Sequence, residues 1–195
     1  PVLPADTSAL YFGGISLACE PGANTYAALL EREGKYRAVM IDPNIRPRFV
    51  QDIDVYRDRL DRMMAKADIV KVSDEDLNWI LPAPLSLTEK VEVLLEKGPS
   101  VVILTRGGEG ATGYLSDGTE VSVPAQRVDI VDTVGAGDTF NAGVLAKLYE
   151  LGELQKSKLK ILSADALREA LAHGARVAAV TVSRAGANPP WADEM

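Results

Sequence analysis

Short apolar runs alternate with amphipathic helical patterns along most of this chain. The apolar runs predict strands at 8–17 (entering a glycine-rich loop), 38–42, 68–73 and 100–105. Helical spacing of apolar positions predicts helices at 20–33, 52–65, 74–81, 86–98, 136–151 and 164–180. Alternation around Asp117-Gly118 predicts a hairpin within 110–125. This order predicts a single α/β domain over residues 1–195, with a central, mostly parallel β-sheet flanked by helices.

Composition narrows the possible partners of this domain. The chain has 195 residues, is 47% hydrophobic and carries a net charge of −7. An acidic surface repels phosphate backbones, so we expect no nucleic-acid partner, although local dipoles can still bind a small phosphorylated ligand. The apolar runs are far shorter than a membrane span, so we expect no membrane partner. Cys19 is the only cysteine, which favours a reducing, cytoplasmic location.

One stretch combines small residues with an acid at the start of a predicted helix: GAGDTFNAG, residues 135–143. Gly135 and Gly137 let a ligand approach the backbone, and the first N–H groups of a helix form an anion site with the helix dipole. Asp138 beside such a site predicts a general base that takes a proton from a hydroxyl under phosphoryl attack. The alternative is that Asp138 only caps the helix and the glycines only form a tight turn.

Three further loops follow predicted strands, and each has two interpretations. The loop TRGGEG at 105–110 is either a nucleotide-binding turn or a plain tight turn. In DPNIRP at 42–47, Arg46 either clamps an anionic or polyhydroxyl ligand or forms a surface salt bridge. In SDEDL at 73–77, a carboxylate either holds Mg²⁺ through water or marks an acidic helix start. Because carboxyl ends of parallel strands share one edge, we expect these loops to converge on one site. Trp79 and Trp191 are expected to be packing residues.

The stretch DTVGAGDTFNAG at 132–143 closely resembles the C-terminal signature of the ribokinase-like, or PfkB, family of carbohydrate kinases. The resemblance extends in the same order to DPNIRP, VKVSDEDL, ILTRGGEGA and VAAVTVSRAGANPP, and so covers nearly the whole chain. Within the family, DPNIRP, KVSDEDL and TVSRAGANPPW are most similar to bacterial fructokinases. The resemblance implies a ribokinase-like fold and transfer of the ATP γ-phosphoryl group to a sugar hydroxyl, with fructose 6-phosphate as the favoured product.

The resemblance also implies roles in phosphoryl transfer. Asp138 would take the proton from the sugar hydroxyl. The N–H groups of Gly135, Ala136 and Gly137 would stabilise the transferring phosphoryl group. Residues implied near the sugar or the transferred phosphate are Asp42, Asn44 and Arg46.

ATP and Mg²⁺ are the implied cofactors. Residues implied near the nucleotide are Ser73, Thr105, Gly107, Gly108, Gly110, His173 and Ala175, with segment 173–177 lining the adenine pocket. Ser73 and Asp76 take the places of the family's Asn-x-x-Glu motif, which organises Mg²⁺ and phosphates through water. Both residues depart from that motif, so Glu75 is a competing carboxylate.

A monovalent cation site, for K⁺, is implied where two loops meet. Its resembling ligands are the Asp132 carboxylate and the backbone carbonyls of Val134, Thr181, Arg184 and Gly186. Pro190 stands where relatives often supply a hydroxyl ligand, which leaves activation by K⁺ open.

Members of the family are longer than this chain, and the additional part precedes Pro1. That part carries the first signature, much of the sugar pocket and a β-lid, through which full-length members often form homodimers. The chain therefore resembles a fragment, and we expect little or no kinase activity from it alone, because lid closure excludes water and positions the acceptor.

Other functions stay open at this stage. The same chemistry would serve 2-keto-3-deoxygluconate, ribose or a nucleoside as the acceptor. A non-catalytic module that binds a nucleotide or a sugar phosphate is a rival from another class, and a structural fragment without a ligand is a third possibility. The presence of Asp138 beside both glycines argues against the module, since a sensor needs no base.

Overall fold

The computed structural model describes residues 2–195, which build one six-stranded sheet. The strands lie in the sheet in chain order: β1 (Ala9–Gly13), β2 (Ala38–Asp42), β3 (Ile69–Ser73), β4 (Val101–Thr105), β5 (Ala111–Leu115) and β6 (Glu120–Val123). Strands β1 to β4 are parallel, whereas β5 and β6 add an antiparallel hairpin. The predicted α/β fold with a mostly parallel sheet is confirmed.

Within residues 2–195, seven α-helices cover the two faces of the sheet. They are α1 (Gly22–Glu33), α2 (Ile53–Met64), α3 (Asp74–Ile80), α4 (Leu87–Glu96), α5 (Ala136–Glu150), α6 (Lys156–Leu159) and α7 (Ala164–Val182). Apolar residues of α1 to α4 pack on one face with Val39 and Ile41, and those of α5 to α7 pack on the other with Ala38 and Met40. Burial on both faces explains why these strands are continuous apolar runs.

The predicted elements agree with the structure except at a few positions. The first strand ends at Gly13, and residues Gly14–Leu17 form a 3₁₀ turn, in which the Ser16 hydroxyl donates to the Gly13 carbonyl at 2.6 Å. Helix α6 was not predicted, because four residues are too few to show a helical period. Trp79 packs against the core as expected, but the prediction for Trp191 was wrong, since this side chain is 78% exposed.

The carboxyl ends of β1 to β4 form one edge, and α5 begins beside it. Register pairs Gly13 with Asp42 and Ser73 with Thr105, so the ends of neighbouring strands are level. Helix α5 packs closely along α7, and a Cβ on Gly143 would lie only 2.9 Å from an atom of α7. This packing fixes the first turn of α5 relative to the sheet. No helix within residues 2–195 has both the length and the apolar character that crossing a membrane would require.

Candidate active site

The first turn of α5 presents unpaired N–H groups. Gly135 caps the helix in a left-handed conformation, with φ at 80°, and a Cβ there would lie 2.9 Å from the Cβ of Ala187. The N–H of Ala136 donates to the Thr133 carbonyl at 3.3 Å, which differs from its predicted role. Within residues 2–195, the N–H groups of Gly135, Gly137 and Asp138 have no acceptor. Three donors at the positive end of the helix dipole can therefore hold an anion.

The Asp138 side chain is exposed beside these donors. Its carboxylate makes no hydrogen bond and no ion pair with any residue from 2 to 195. Helix α5 has Gly135 as its N-cap, without a side-chain capping bond. The interpretation of Asp138 as a plain cap is therefore wrong, and the carboxylate is available to accept a proton from a bound molecule.

Three buried polar residues, Asp42, Lys71 and Asn141, form a buried polar cluster beneath this turn, and Tyr11, which is 42% exposed, borders it. The Lys71 ammonium donates to Asp42 Oδ2 at 3.1 Å, and Asn141 Nδ2 donates to the same oxygen at 2.7 Å. Asn141 Nδ2 also lies 3.2 Å from the Tyr11 hydroxyl. A Cβ on Gly137 would lie 3.6 Å from Lys71 Nζ, so the cluster adjoins the open N–H groups.

Tyr11 connects this cluster to the Asp138 carboxylate. Partial burial of the phenol raises its pKa well above the usual range, and the negative charges of Asp42 and Asp138 raise it further, against the opposing hydrogen bond from Asn141. The Tyr11 hydroxyl therefore keeps its proton at physiological pH and is close enough to feel the charge of Asp138. Sequence reasoning missed Tyr11, Lys71 and Asn141. The one available signal was Lys71, a charged residue within an otherwise apolar strand.

The loop 42–47 holds the predicted sugar residues, and the structure corrects one of them. Asp42 is 1% exposed and accepts from Lys71, from Asn141 and from the Asn44 backbone N–H, so it organises the loop and does not face a ligand. Asn44 has a positive φ of 41° and lies close to Gly14. Arg46 is exposed and forms no ion pair within residues 2–195, so the surface salt bridge is not observed. Its guanidinium remains available to an anion.

The predicted magnesium residues lie on α3, next to this loop. Ser73 caps α3 by accepting from the Asp76 N–H at 3.0 Å. Asp76 is buried and uses Oδ1 to accept from the Ile45 N–H at 2.9 Å, whereas Glu75 is exposed. Among the residues that the structure describes, no group of three or more acidic, histidine or cysteine side chains could hold a metal. Mg²⁺ is usually held by one or two carboxylates together with phosphates and water, and Glu75 and Asp76 are the two carboxylates named for that role.

The glycines of the loop 105–110 play different parts. Thr105 lies level with Ser73, and Gly107 and Gly108 face open space, where a ligand can approach them. Gly110 has a φ of 102°, and a Cβ there would lie 2.2 Å from the Val123 carbonyl oxygen. Glycine is therefore required at position 110 by the end of β6, which lies against it, and a role for Gly110 near the nucleotide stays a prediction.

The two predicted adenine residues lie in the middle of α7. Ala175 is 9% exposed and belongs to the core between α5, α7 and the sheet, which leaves little of it for ligand contact. His173 is half-buried, and its Nδ1 lies 3.1 Å from a guanidinium nitrogen of Arg176. Burial, Arg176 and Lys147 lower the pKa of His173. Lys147, whose charge acts on His173, follows Asp138 by nine residues on α5 and so lies about 13 Å further along the helix axis.

Comparison with known proteins identifies the family to which this chain belongs. The family model described as pfkB family carbohydrate kinase matches residues 3–194. The chain belongs to the pfkB family. This pfkB chain is 47% identical to a fructokinase of Rhizobium leguminosarum bv. trifolii over 172 residues, 86% of the chain and 51% of the relative. It is 38% identical to a fructokinase of Klebsiella pneumoniae over 146 residues, 73% of the chain and 47% of the relative.

A solved structure of aminoimidazole riboside kinase from Salmonella enterica is also similar. Its TM-score is 0.79 at 28% identity, and the match covers 95% of this chain and 60% of that one. The pfkB chain thus spans about half the length of the curated relatives it matches. These matches confirm the resemblance drawn from the sequence motifs and the ribokinase-like fold.

The loops of the implied cation site adjoin each other in this pfkB chain. Asp132 accepts from the Val134 N–H at 3.0 Å and from the Gly186 N–H at 2.9 Å, and these bonds lower its pKa. The Thr181 carbonyl accepts from the Arg184 N–H, and the Gly186 carbonyl accepts from a later residue of its own loop. Within residues 2–195, the carbonyls of Val134 and Arg184 accept no hydrogen bond. Two of the four implied carbonyl ligands are therefore unengaged.

Proposed function

We propose that this chain is the nucleotide- and phosphoryl-binding part of an ATP-dependent sugar kinase that converts fructose to fructose 6-phosphate. One observation carries the proposal: the unpaired Asp138 carboxylate stands beside three open N–H groups at the carboxyl edge of the sheet. A base beside an anion site is what phosphoryl transfer to a hydroxyl requires. The two fructokinase relatives support fructose as the acceptor. Aminoimidazole riboside kinase, solved with its riboside and an ATP analogue, supports ATP as the donor.

The reaction uses these groups in one displacement. Asp138 accepts the proton of the C6 hydroxyl while the sugar oxygen forms a bond to the γ-phosphorus. The bond between that phosphorus and the oxygen bridging to the β-phosphate breaks, and ADP leaves with the bonding electrons. The N–H groups of Gly135, Gly137 and Asp138 hold the charge on the equatorial oxygens. A positioned base contributes about 10²- to 10⁴-fold to such a step.

The implied ions would lie on either side of the phosphates. Asp76, with Glu75 as the competing carboxylate, would hold Mg²⁺ through water, and the ion would neutralise phosphate charge when bound. The second ion, K⁺, would lie between the loops of Asp132 and Gly186. Arg46 would contact the sugar or the transferred phosphate, and segment 173–177 would border the adenine.

The proposal also implies the partners, the cellular location and the assembly of the protein. The partners are ATP and a sugar, in the cytoplasm, where ATP is available and a single cysteine stays reduced. Residues 1–195 alone would show little or no turnover, because the chain spans about half of its relatives and much of the sugar pocket would come from the other half. The complete protein would form a homodimer.

The test compares Asp138→Asn with a matched control in the complete product of the gene. Asp165 is also an exposed acid in the first turn of a helix, but it lies on α7 and pairs with Arg168. We expect Asp138→Asn to lower kcat for fructose about 10³-fold with little change in the Kd for ATP. Asp165→Asn should keep the wild-type rate.

The acceptor is identified in the same assay with a panel of sugars. Fructose should give the highest kcat/KM, ahead of ribose, 2-keto-3-deoxygluconate and a nucleoside. If Asp138→Asn keeps more than a tenth of the rate, Asp138 is not the base. If the wild-type protein binds ATP tightly but phosphorylates none of these acceptors, the non-catalytic module replaces the kinase. Failure to bind ATP at all would leave a structural role.

A further inference from the structure

A buried lysine lies directly behind the open N–H groups. Lys71 is 6% exposed, and its Nζ lies 3.6 Å from the place of a Cβ on Gly137. It occupies the central position of β3, whose neighbours Val70 and Val72 are fully buried apolar residues. The positive charge is therefore held at the carboxyl edge of the sheet, under the turn that would receive a phosphoryl group.

The bonding of Lys71 leaves part of its ammonium unused. An ammonium has three N–H donors, and Lys71 uses one, toward Asp42. Asp42 also accepts hydrogen bonds from Asn141 Nδ2 and from the Asn44 N–H, so the lysine is one of three donors to this carboxylate. Asn141 Oδ1 is buried without a partner among residues 2–195. The buried polar cluster thus has unused donors on Lys71 and an unpartnered acceptor on Asn141 of α5.

Stability alone gives no reason for this arrangement. A buried ion pair is costly to desolvate, and apolar residues of similar volume often stabilise a protein as well or better. The chain contains a second buried lysine for comparison. Lys90 is 4% exposed, donates to Asn78 Oδ1 at 2.6 Å and lies on α4, against the opposite core. Lys71 differs from it in having a charged partner and in facing the anion site.

We infer that the Lys71 ammonium is a fixed cation of the phosphoryl-transfer site, which stabilises the negative charge that develops at the N–H groups of Gly137 and Asp138. Asp42 holds the ammonium in place by accepting from it, and Asn141 in turn holds Asp42 by donating to the same oxygen. Lys71 makes no contact with the sugar in this scheme and acts on the phosphoryl group through the low-dielectric interior. The inference rests on the proposed kinase function.

The experiment uses the complete product of the gene and four variants. Lys71→Met removes the charge at similar length, Lys71→Arg keeps the charge, and Lys90→Met is the matched control. We expect Lys71→Met to lower kcat about 10²-fold, as the loss of one stabilising donor does. The KM for fructose should stay within a factor of about three, because the lysine does not bind the sugar. Lys71→Arg should recover part of kcat, and Lys90→Met should keep it.

A binding measurement separates charge stabilisation from a structural role. ADP with aluminium fluoride mimics the transferring phosphoryl group, and ADP alone does not. We expect Lys71→Met to weaken binding of ADP with aluminium fluoride about 10²-fold, as it does kcat, and to leave the Kd of ADP nearly unchanged. A lysine that serves only the fold would weaken both ligands equally or neither.

The fourth variant, Lys71→Met with Asp42→Asn, removes both charges of the pair. It avoids an uncompensated buried carboxylate, so it should unfold at a higher urea concentration than Lys71→Met alone. Its kcat should nevertheless stay low. It also serves as the test if Lys71→Met does not fold.

The outcomes distinguish the inference from the function on which it rests. If the wild-type protein phosphorylates no sugar, the proposed function fails and the inference with it. If the wild type is active and Lys71→Met keeps its kcat and its preference for ADP with aluminium fluoride, only the inference is overturned. Recovery of full kcat in the neutral double variant would also overturn the inference. The rate would then depend on the absence of an unpaired buried carboxylate, and not on the positive charge of Lys71.

Discussion

Two glycines of the anion site, Gly135 and Gly137, should respond in opposite ways to the same added methyl group. Gly135 has a φ of 80°, and its Cβ would lie 2.9 Å from the Cβ of Ala187. Gly137 lies within α5, and its Cβ would lie 3.6 Å from Lys71 Nζ, an ordinary contact distance. Gly135→Ala therefore strains the fold, whereas Gly137→Ala fits the backbone but intrudes on the site.

The magnitudes follow from these contacts. Placing alanine in the left-handed region costs about 1–2 kcal/mol. The contact with Ala187 adds about 1 kcal/mol, the lower end for overpacking, because Ala187 lies in an exposed loop that can shift. Gly137→Ala gains about 0.5 kcal/mol from helix propensity in the first turn. The two variants should thus differ by about 3 kcal/mol in the free energy of unfolding, or roughly 6–12 °C in Tm.

Urea denaturation gives the stabilities, and turnover of the complete gene product gives the activities. Gly137→Ala should be at least as stable as the wild type but lose about tenfold or more in kcat, because its methyl group lies between the open N–H groups and Lys71. Equal loss of stability in both variants would refute the steric argument. A stable Gly137→Ala variant with wild-type kcat would refute the assignment of this turn to the phosphoryl group.

Two further predictions concern charges outside the anion site. Asp68 is 4% exposed and accepts from the Val39 N–H and from Lys156. In urea denaturation, Asp68→Ala should lower the free energy of unfolding by about 2–4 kcal/mol, and the exposed control Asp61→Ala by under about 1 kcal/mol. Equal losses in the two variants would contradict this prediction. The folded pKa of His173 is lowered, so the unfolded chain binds more protons just below its ordinary pKa of 6.5. The free energy of unfolding should therefore fall as pH drops through 6.5, and less so in His173→Gln; parallel pH profiles would contradict this.

Local pattern was enough to predict most of the fold. A continuous apolar run such as Val101–Thr105 is typical of a strand buried on both faces, and both the run and the glycines beside it can be read from the local sequence. The convergence of the loops was also predictable, because carboxyl ends of parallel strands meet at one edge. The open N–H groups at Gly135 and Gly137 followed from the same logic, since any helix start leaves such donors.

The buried polar cluster could not be predicted in the same way. Asn141 and Tyr11 are 130 residues apart in the chain and meet only because the fold brings this part of α5 beside β1. Nothing local to Asp42 shows that its carboxylate points inward to Lys71 instead of outward to a ligand. The need for glycine at position 110 has a similar origin, because a Cβ there would meet Val123, thirteen residues later in the chain. Such roles depend on tertiary contacts, which no sequence period encodes.

The carboxylates near the site explain how a chain with a net charge of −7 can offer a site for ATP. Three of them are already engaged: Asp42 by Lys71 and Asn141, Asp76 by the Ile45 N–H, and Asp132 by two backbone N–H groups. These donors offset part of the negative charge that the three carboxylates would otherwise present to a phosphate. Asp138, by contrast, has no partner within residues 2–195 and stands next to the open donors. A site for a static anion would avoid that charge, so its retention there is the strongest physical reason to expect proton transfer as well as binding.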